Sequence, residues 1–241
     1  LVPPDRHVDG VVEMLLDATQ HFQQSFSDDR LFAWHASLFP TGRAGMHKIT
    51  VGAWRDNKKE DPMQVVSGAM QRQKIHYEAP PANRLRAEMA NFIRWFNADH
   101  QDDPVIKAGL AHLWFVTVHP FDDGNGRIAR AVGDMALARA EGSVQRYYSL
   151  SAQIQRERKT YYEQLEAAQK GSLDVTQWLT WFLACLLRAL QGADQVLAAV
   201  LNKARYWQAW AGTPLNVRQV KLLNKMLDGL VEGKLTTSKW A

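Results

Sequence analysis

The stretch HPFDDGNGRIAR, positions 119–130, constrains the path of this chain more than any other segment. An almost wholly apolar run from Val105 to Val118 precedes it and reads as a central helix. A residue before proline is pushed out of helical geometry, so that helix has to stop at His119, ahead of Pro120. Gly124, Asn125 and Gly126 then permit left-handed or mixed backbone angles, and a second helix reads from Arg127 to Ala140. Two helices joined by a tight polar loop, with an imidazole at the end of the first, are therefore expected.

The chemistry of that loop follows from its residue types. Successive amide hydrogens at Gly124, Asn125 and Gly126 can converge on an anion, and the positive end of the following helix faces the same point. Arg127 and Arg130 lie on the first turn, three apart, where guanidinium forks grip phosphate oxygens. Two cations at a helix N-terminus oppose its dipole and call for an anionic partner. Asp123 supplies carboxylate oxygens of the kind Mg²⁺ prefers, with phosphates and waters completing its shell. Together these residues point to ATP carried with Mg²⁺. An unperturbed imidazole has a pKa of about 6.5 and is mostly neutral at pH 7, so His119 can accept a proton. Phe121 is expected to anchor the core, and Asp122 to be a solvated charge or a helix cap.

The chain has 241 residues, 46% of them hydrophobic, enough for a substantial core. No apolar run is expected to reach the ~20 residues that span a bilayer, and no signal peptide is visible, which points to a cytoplasmic protein with no membrane partner. A single cysteine, Cys185, excludes disulfides within the chain and reads as a buried thiol. The net charge of +4, with both signs interspersed, is compatible with nucleotide binding but too weak to argue for DNA. The chain begins at Leu1 without an initiator methionine and stops at Ala241 in mid-element, so it reads as a fragment.

Helical periods cover Val8 to Phe22, Asp29 to Phe39, Asn83 to Ala98 and Ser151 to Gln169. Two further long helices are expected at Asp174 to Leu190 and Ala193 to Trp210, then one at Asn216 to Leu230. Residues 40 to 48 read as a loop. β-type runs fall at Ile49 to Val51, Met63 to Val66 and Ile75 to Tyr77, the last two forming an exposed hairpin.

The string at 119–130 matches the pattern HPFx[D/E]GNGRxxR, and the chain resembles the Fic family over roughly residues 8 to 190. The resemblance implies a mainly α fold, a helical bundle with a small β-hairpin flap beside the active site. It implies N-terminal helices at 1–40 packing on a catalytic core at 41–190, with the flap at about 49–78. A connecting helix at 191–212 and a truncated winged helix-turn-helix at 213–241, whose next helix starts at Thr236, would follow. The implied activity is protein adenylyltransfer, moving AMP from Mg-ATP to a Ser, Thr or Tyr hydroxyl of a target protein docked along the flap. His119 would be the base, Asp123 the metal ligand, Arg130 a catalytic contact, and Gly124, Asn125, Gly126, Arg127, Arg130, Tyr161 and Tyr162 the nucleotide contacts. Other members transfer other groups or remove AMP, and a nucleotide-sensing DNA-binding regulator is a third reading. Many members carry an inhibitory helix of pattern [S/T]xxxE[G/N]. Glu141-Gly142 and Glu232-Gly233 lack its hydroxyl residue, having Leu137 and Asp228 instead, so the element is expected upstream of Leu1 or in a partner. DNA binding through the incomplete C-terminal element and a homodimer both stay open.

Overall fold

The computed structural model describes residues 6–68, 72–99 and 102–231. They divide into two compact units, Leu1–Leu186 and Leu187–Ala241. The fold is mainly α.

The first unit opens with α1 (Arg6–Gln20) and α2 (Asp28–Leu38). Ser27 caps α2 by accepting a hydrogen bond from the Arg30 amide, and the Arg30 side chain returns to Asp17 of α1 at 2.6 Å. Residues 43–48, expected as loop, form a minimal hairpin of β1 (Arg43–Ala44) and β2 (His47–Lys48). The expected strand at Ile49 to Val51 does not form. Its amides are taken elsewhere, that of Ile49 by the Gly42 carbonyl and that of Thr50 by the Asp122 carboxylate, so no ladder partner can use them. The hairpin at β3 (Gln64–Ser67) and β4 (Lys74–Glu78) is present, antiparallel, with a bulge between Val65 and Val66.

Then α3 (Ala82–Asn97), α4 (Pro104–Val118) and α5 (Asn125–Glu141) build the centre. Asp103 caps α4 by accepting from the amides of Val105 and Ile106, with Pro104 at the first position, where a missing amide costs nothing. Helix α4 is buried almost all round, and α5 packs on it with Gly133 against His112 and the Ala108 carbonyl, where the missing side chain lets the backbones come close. Phe26, Phe92, Phe96, Phe115 and Phe121 fill the surrounding core. The helix expected across Ser151 to Gln169 is broken at Glu157 into α6 (Leu150–Arg156) and α7 (Arg158–Lys170).

The two helices expected at 174–190 and 193–210 are one, α8 (Thr176–Ala209). Gly192 and Asp194 read as a break, but a lone glycine costs a helix only about 1 kcal/mol. The merged helix is, by length and composition alone, long and apolar enough to cross a membrane. This corrects the expectation that no run reaches that length. The first turns of α8 serve the first unit, placing Trp178, Phe182 and Cys185 in its core. In the second unit, α9 (Val217–Leu227) starts with a complete capping box at Asn216 and Gln219 and meets α8 through Trp207–Asn224 and Lys203–Asp228. The helix expected from Thr236 lies outside the described residues.

Candidate active site

A helix ends with unsatisfied carbonyls, and each one buried without a donor is costly. At the end of α4 each finds one. The Phe115 carbonyl accepts from the His119 amide at 3.1 Å, and the Val116 carbonyl from the His119 ring at Nδ1, also at 3.1 Å. Thr117 accepts from the Tyr77 hydroxyl of β4 at 2.9 Å. Val118 and His119 accept from the Arg55 guanidinium, through Nη2 at 3.5 Å and Nε at 2.7 Å. The Pro120 carbonyl takes the Arg55 amide at 3.0 Å.

These bonds settle the state of His119. A carbonyl can only accept, so Nδ1 carries the hydrogen and Nε2 keeps its lone pair. Burial pushes the ring's pKa below its ordinary value; the bond to Val116 opposes this, and the nearby Arg55 charge adds to it. The imidazole is therefore neutral at pH 7 with one nitrogen ready for a proton. Its backbone is left-handed (φ 52, ψ 57), alone in that region among the described residues other than glycine. Such a conformation costs roughly 1–2 kcal/mol and needs to be held.

The loop beyond is locked by Phe121 and Asn125. The Asn125 amide group closes on the Phe121 main chain, accepting from its nitrogen at 2.9 Å and donating to its oxygen at 2.7 Å. The Phe121 ring stacks on His35 at 4.1 Å and meets Trp54 at 5.1 Å, the core anchor expected of it. His35 donates from Nε2 to the Asp123 carbonyl at 3.1 Å and accepts at Nδ1 from Gly52 at 3.2 Å, tying α2 to both loops. Asp122 is spent on the Thr50 amide. Gly124 has φ +83, and an added Cβ would sit 2.9 Å from the Phe39 ring, so this position requires glycine.

Helix α5 thus begins at the loop's end, and among the described residues no acceptor faces the amides of Asn125 and Gly126. Two free amides at a helix N-terminus are what an anion needs. The Asp123 carboxylate stands beside them, 52% exposed and 4.0 Å from Arg127 Nη2. The Arg127 guanidinium lies over the Phe39 ring at 4.7 Å, while Arg130 reaches the other way, to the Tyr161 hydroxyl of α7. Among the described residues no three His, Cys, Asp or Glu side chains gather to cage a metal. A single half-exposed carboxylate fits a magnesium ion that arrives on phosphates rather than one enclosed by protein.

The Asn125 side chain is 2% exposed and fully used in closing the loop, so the contact expected of this residue is through its main-chain amide, while the Gly124 amide donates to the Asp123 carboxylate. The Tyr161 ring is also 2% exposed, and its hydroxyl shares a 3.0 Å hydrogen bond with the buried His112, so it cannot stack on a base. It belongs to the core and meets the site only through Arg130. Tyr162, by contrast, is 51% exposed, with Arg158 over its ring at 5.6 Å. Nothing in the sequence marks Arg55 or His35, because their partners lie 64 and 88 residues away.

The hairpin meets this floor through few contacts. Beyond Tyr77, His76 donates from Nδ1 to Glu166 of α7 at 2.6 Å, and the Ser67 hydroxyl lies 2.6 Å from its Nε2. Hydrogen bonds from Lys170 and then His76 hold the Glu166 carboxyl well below the usual range, at about 2. Gln169 reaches Thr117 at 3.3 Å.

Protein adenylyltransferase Fic of Drosophila ananassae is 30% identical over 135 residues, which are 54% of this chain and 25% of that protein. Its counterpart in Drosophila melanogaster is 33% identical over 113 residues, 46% of this chain and 21% of that one. The chain therefore spans about a quarter of the length of these curated relatives. Among solved structures, a Fic family protein from Desulfovibrio desulfuricans G20 has a TM-score of 0.61 at 18% identity, covering 100% of this chain and 64% of that one. Fic-1 from C. elegans has a TM-score of 0.58 at 19% identity, covering 84% of this chain and 55% of that one. These two share the fold. The model described as Fic/DOC family matches residues 25–137, from the lead-in to α2 through most of α5, and that part of the chain is a Fic/DOC family domain.

Proposed function

We propose that this protein is an adenylyltransferase that moves AMP from Mg-ATP to a Ser, Thr or Tyr hydroxyl of a protein substrate. The observation that carries the reading is the state of His119, hydrogen on Nδ1 and a free lone pair on Nε2, at the threshold of a helix whose first amides have no acceptor. In the step, Nε2 takes the proton of the hydroxyl, the oxygen bonds to the α-phosphorus, and pyrophosphate leaves. General-base help of this kind contributes typically about 10²–10⁴ in rate. The amides of Asn125 and Gly126, with Arg127 and Arg130, would bear the phosphate charge. Asp123 would hold magnesium, which when bound neutralises part of that charge. Tyr162 is the exposed aromatic on α7 left to meet the base. The names of the Drosophila relatives support transfer of an adenylyl group.

Incubation with α-labelled or γ-labelled ATP tests this. Label should reach protein only from the first, and His119→Ala should lower it by at least about 10²-fold with nucleotide binding intact. Transfer of the γ-label, or an unchanged rate in His119→Ala, would refute the proposal.

A further inference from the structure

Arg55 is 2% exposed, and each hydrogen bond its guanidinium makes goes to an uncharged oxygen. Nε serves the His119 carbonyl, Nη2 the carbonyls of Pro80 and Val118, and Nη1 the Asn57 side chain. Among the described ion pairs it has no carboxylate partner. A buried cation is expensive unless its donors are used and counter-charge lies near; here the Asp122 carboxylate offsets part of the cost, and two of the acceptors, the Val118 and His119 carbonyls, lie at the C-terminal end of α4, where the helix dipole is negative and a cation is favoured. The fork matters as much as the charge, because a planar guanidinium reaches separate acceptors at fixed angles while an ammonium is a single point.

Two of the acceptors bracket one residue. Val118 and His119 carry the carbonyls on either side of His119, and the Arg55 amide holds the next one, at Pro120. His119 is the residue in the costly left-handed conformation, and as a pre-proline residue its relaxed state is extended. Relaxation would rotate the peptide away from α4 and break the bond from Nδ1 to Val116, which fixes the ring's tautomer. We propose that Arg55 is a positioning residue for the imidazole: by clamping the main chain on both sides of His119 it keeps that residue left-handed, Nδ1–H on Val116 and Nε2 open. Its value for AMP transfer rests on the reading of His119 as the base; its hold on the ring does not.

Two charge-distinct variants test it. Arg55→Lys keeps a cation and loses the fork, and Arg55→Gln loses both. In ¹⁵N-histidine-labelled protein, long-range proton–nitrogen spectra read which ring nitrogen bears hydrogen. Wild type should show one tautomer, Nδ1–H, and both variants a mixture. With α-labelled ATP, both variants should lose about 10²-fold in kcat, the cost of a misplaced reacting group, with KM for ATP within about threefold. Because the Arg55 charge pushes the His119 pKa down, Arg55→Gln should also move the acid limb of the rate profile to higher pH, while Arg55→Lys leaves it in place. A merely structural arginine would lower the melting temperature and the folded fraction but leave the tautomer alone. Folded variants with wild-type tautomer and kcat within about threefold of wild type overturn the proposal. If neither variant folds, Asn57→Ala, which removes the Nη1 acceptor and the bond from Asn57 Nδ2 to the Asp61 carbonyl, decides: a mixed tautomer supports the clamp, and an unchanged spectrum overturns it. Should wild type transfer no AMP, the functional reading falls while the ring spectra still decide the role of Arg55.

Discussion

The loop at 119–125 and the hairpin at 64–78 face the same end of α4 and are built on opposite principles. In the loop, main-chain groups are met one by one: carbonyls 115 to 120 each have a donor, and Asn125 and Phe121 close on each other twice. The hairpin has strands of four and five residues, is largely exposed, and is fastened by Tyr77 and the His76–Glu166 pair. A group that must take up a proton tolerates little displacement, whereas a surface that receives a partner gains from play. The two constructions fit a reading in which chemistry sits in the loop and docking on the hairpin.

Substitutions in each region would sharpen or break that contrast. Asn125→Ala should have the largest effect, since it strips two buried main-chain groups of Phe121 of their partner. A loss of about 2–4 kcal/mol in denaturant unfolding is expected, with a collapse of AMP transfer. A folded variant with a full transfer rate would show that the loop does not depend on this closure. Acid comes next. Burial holds His112 at about 3, far below the ordinary imidazole, so the folded state keeps it neutral while the unfolded chain binds a proton. Its contribution is whole above pH 6.5 and is lost as pH falls from there toward 3, at up to about 1.4 kcal/mol per pH unit. Melting curves from pH 7 to 4 should show this loss, and His112→Leu should flatten it; parallel curves would mean that another group sets the acid limit. The smallest effect is expected at the hairpin, where Glu166→Gln weakens the part-buried His76–Glu166 pair: the melting temperature should barely move, while KM for a protein substrate rises severalfold. A stability loss as large as that of Asn125→Ala would erase the distinction between the two regions.

The sequence makes the helices and the reactive string legible because both are local patterns. Apolar periodicity places α1 to α5 within a few residues, and Pro120 and the glycines mark where α4 stops and α5 starts. What stays hidden depends on contacts distant in sequence. Ile49 to Val51 has strand-like residues, but its amides are claimed by Gly42 and Asp122. Tyr161 and Tyr162 look alike in sequence, and only the tertiary structure buries one beside His112 and leaves the other in solvent. The continuity of α8 across Gly192 and the break at Glu157 run against local propensity in opposite directions. Of the candidate site, the amides, Asp123 and both arginines come from the string itself, whereas the Arg55 clamp and the His35 bridge come from residues with no local signature.

The donors that fix the end of α4 also have an order in time. The groups that hold the imidazole, from Arg55 and Tyr77 to Val116, precede or adjoin residue 119, while the hydroxyl that seats Arg130 belongs to Tyr161. A nascent chain leaving the ribosome therefore exposes every partner of the His119 imidazole some forty residues before the partner of the second guanidinium.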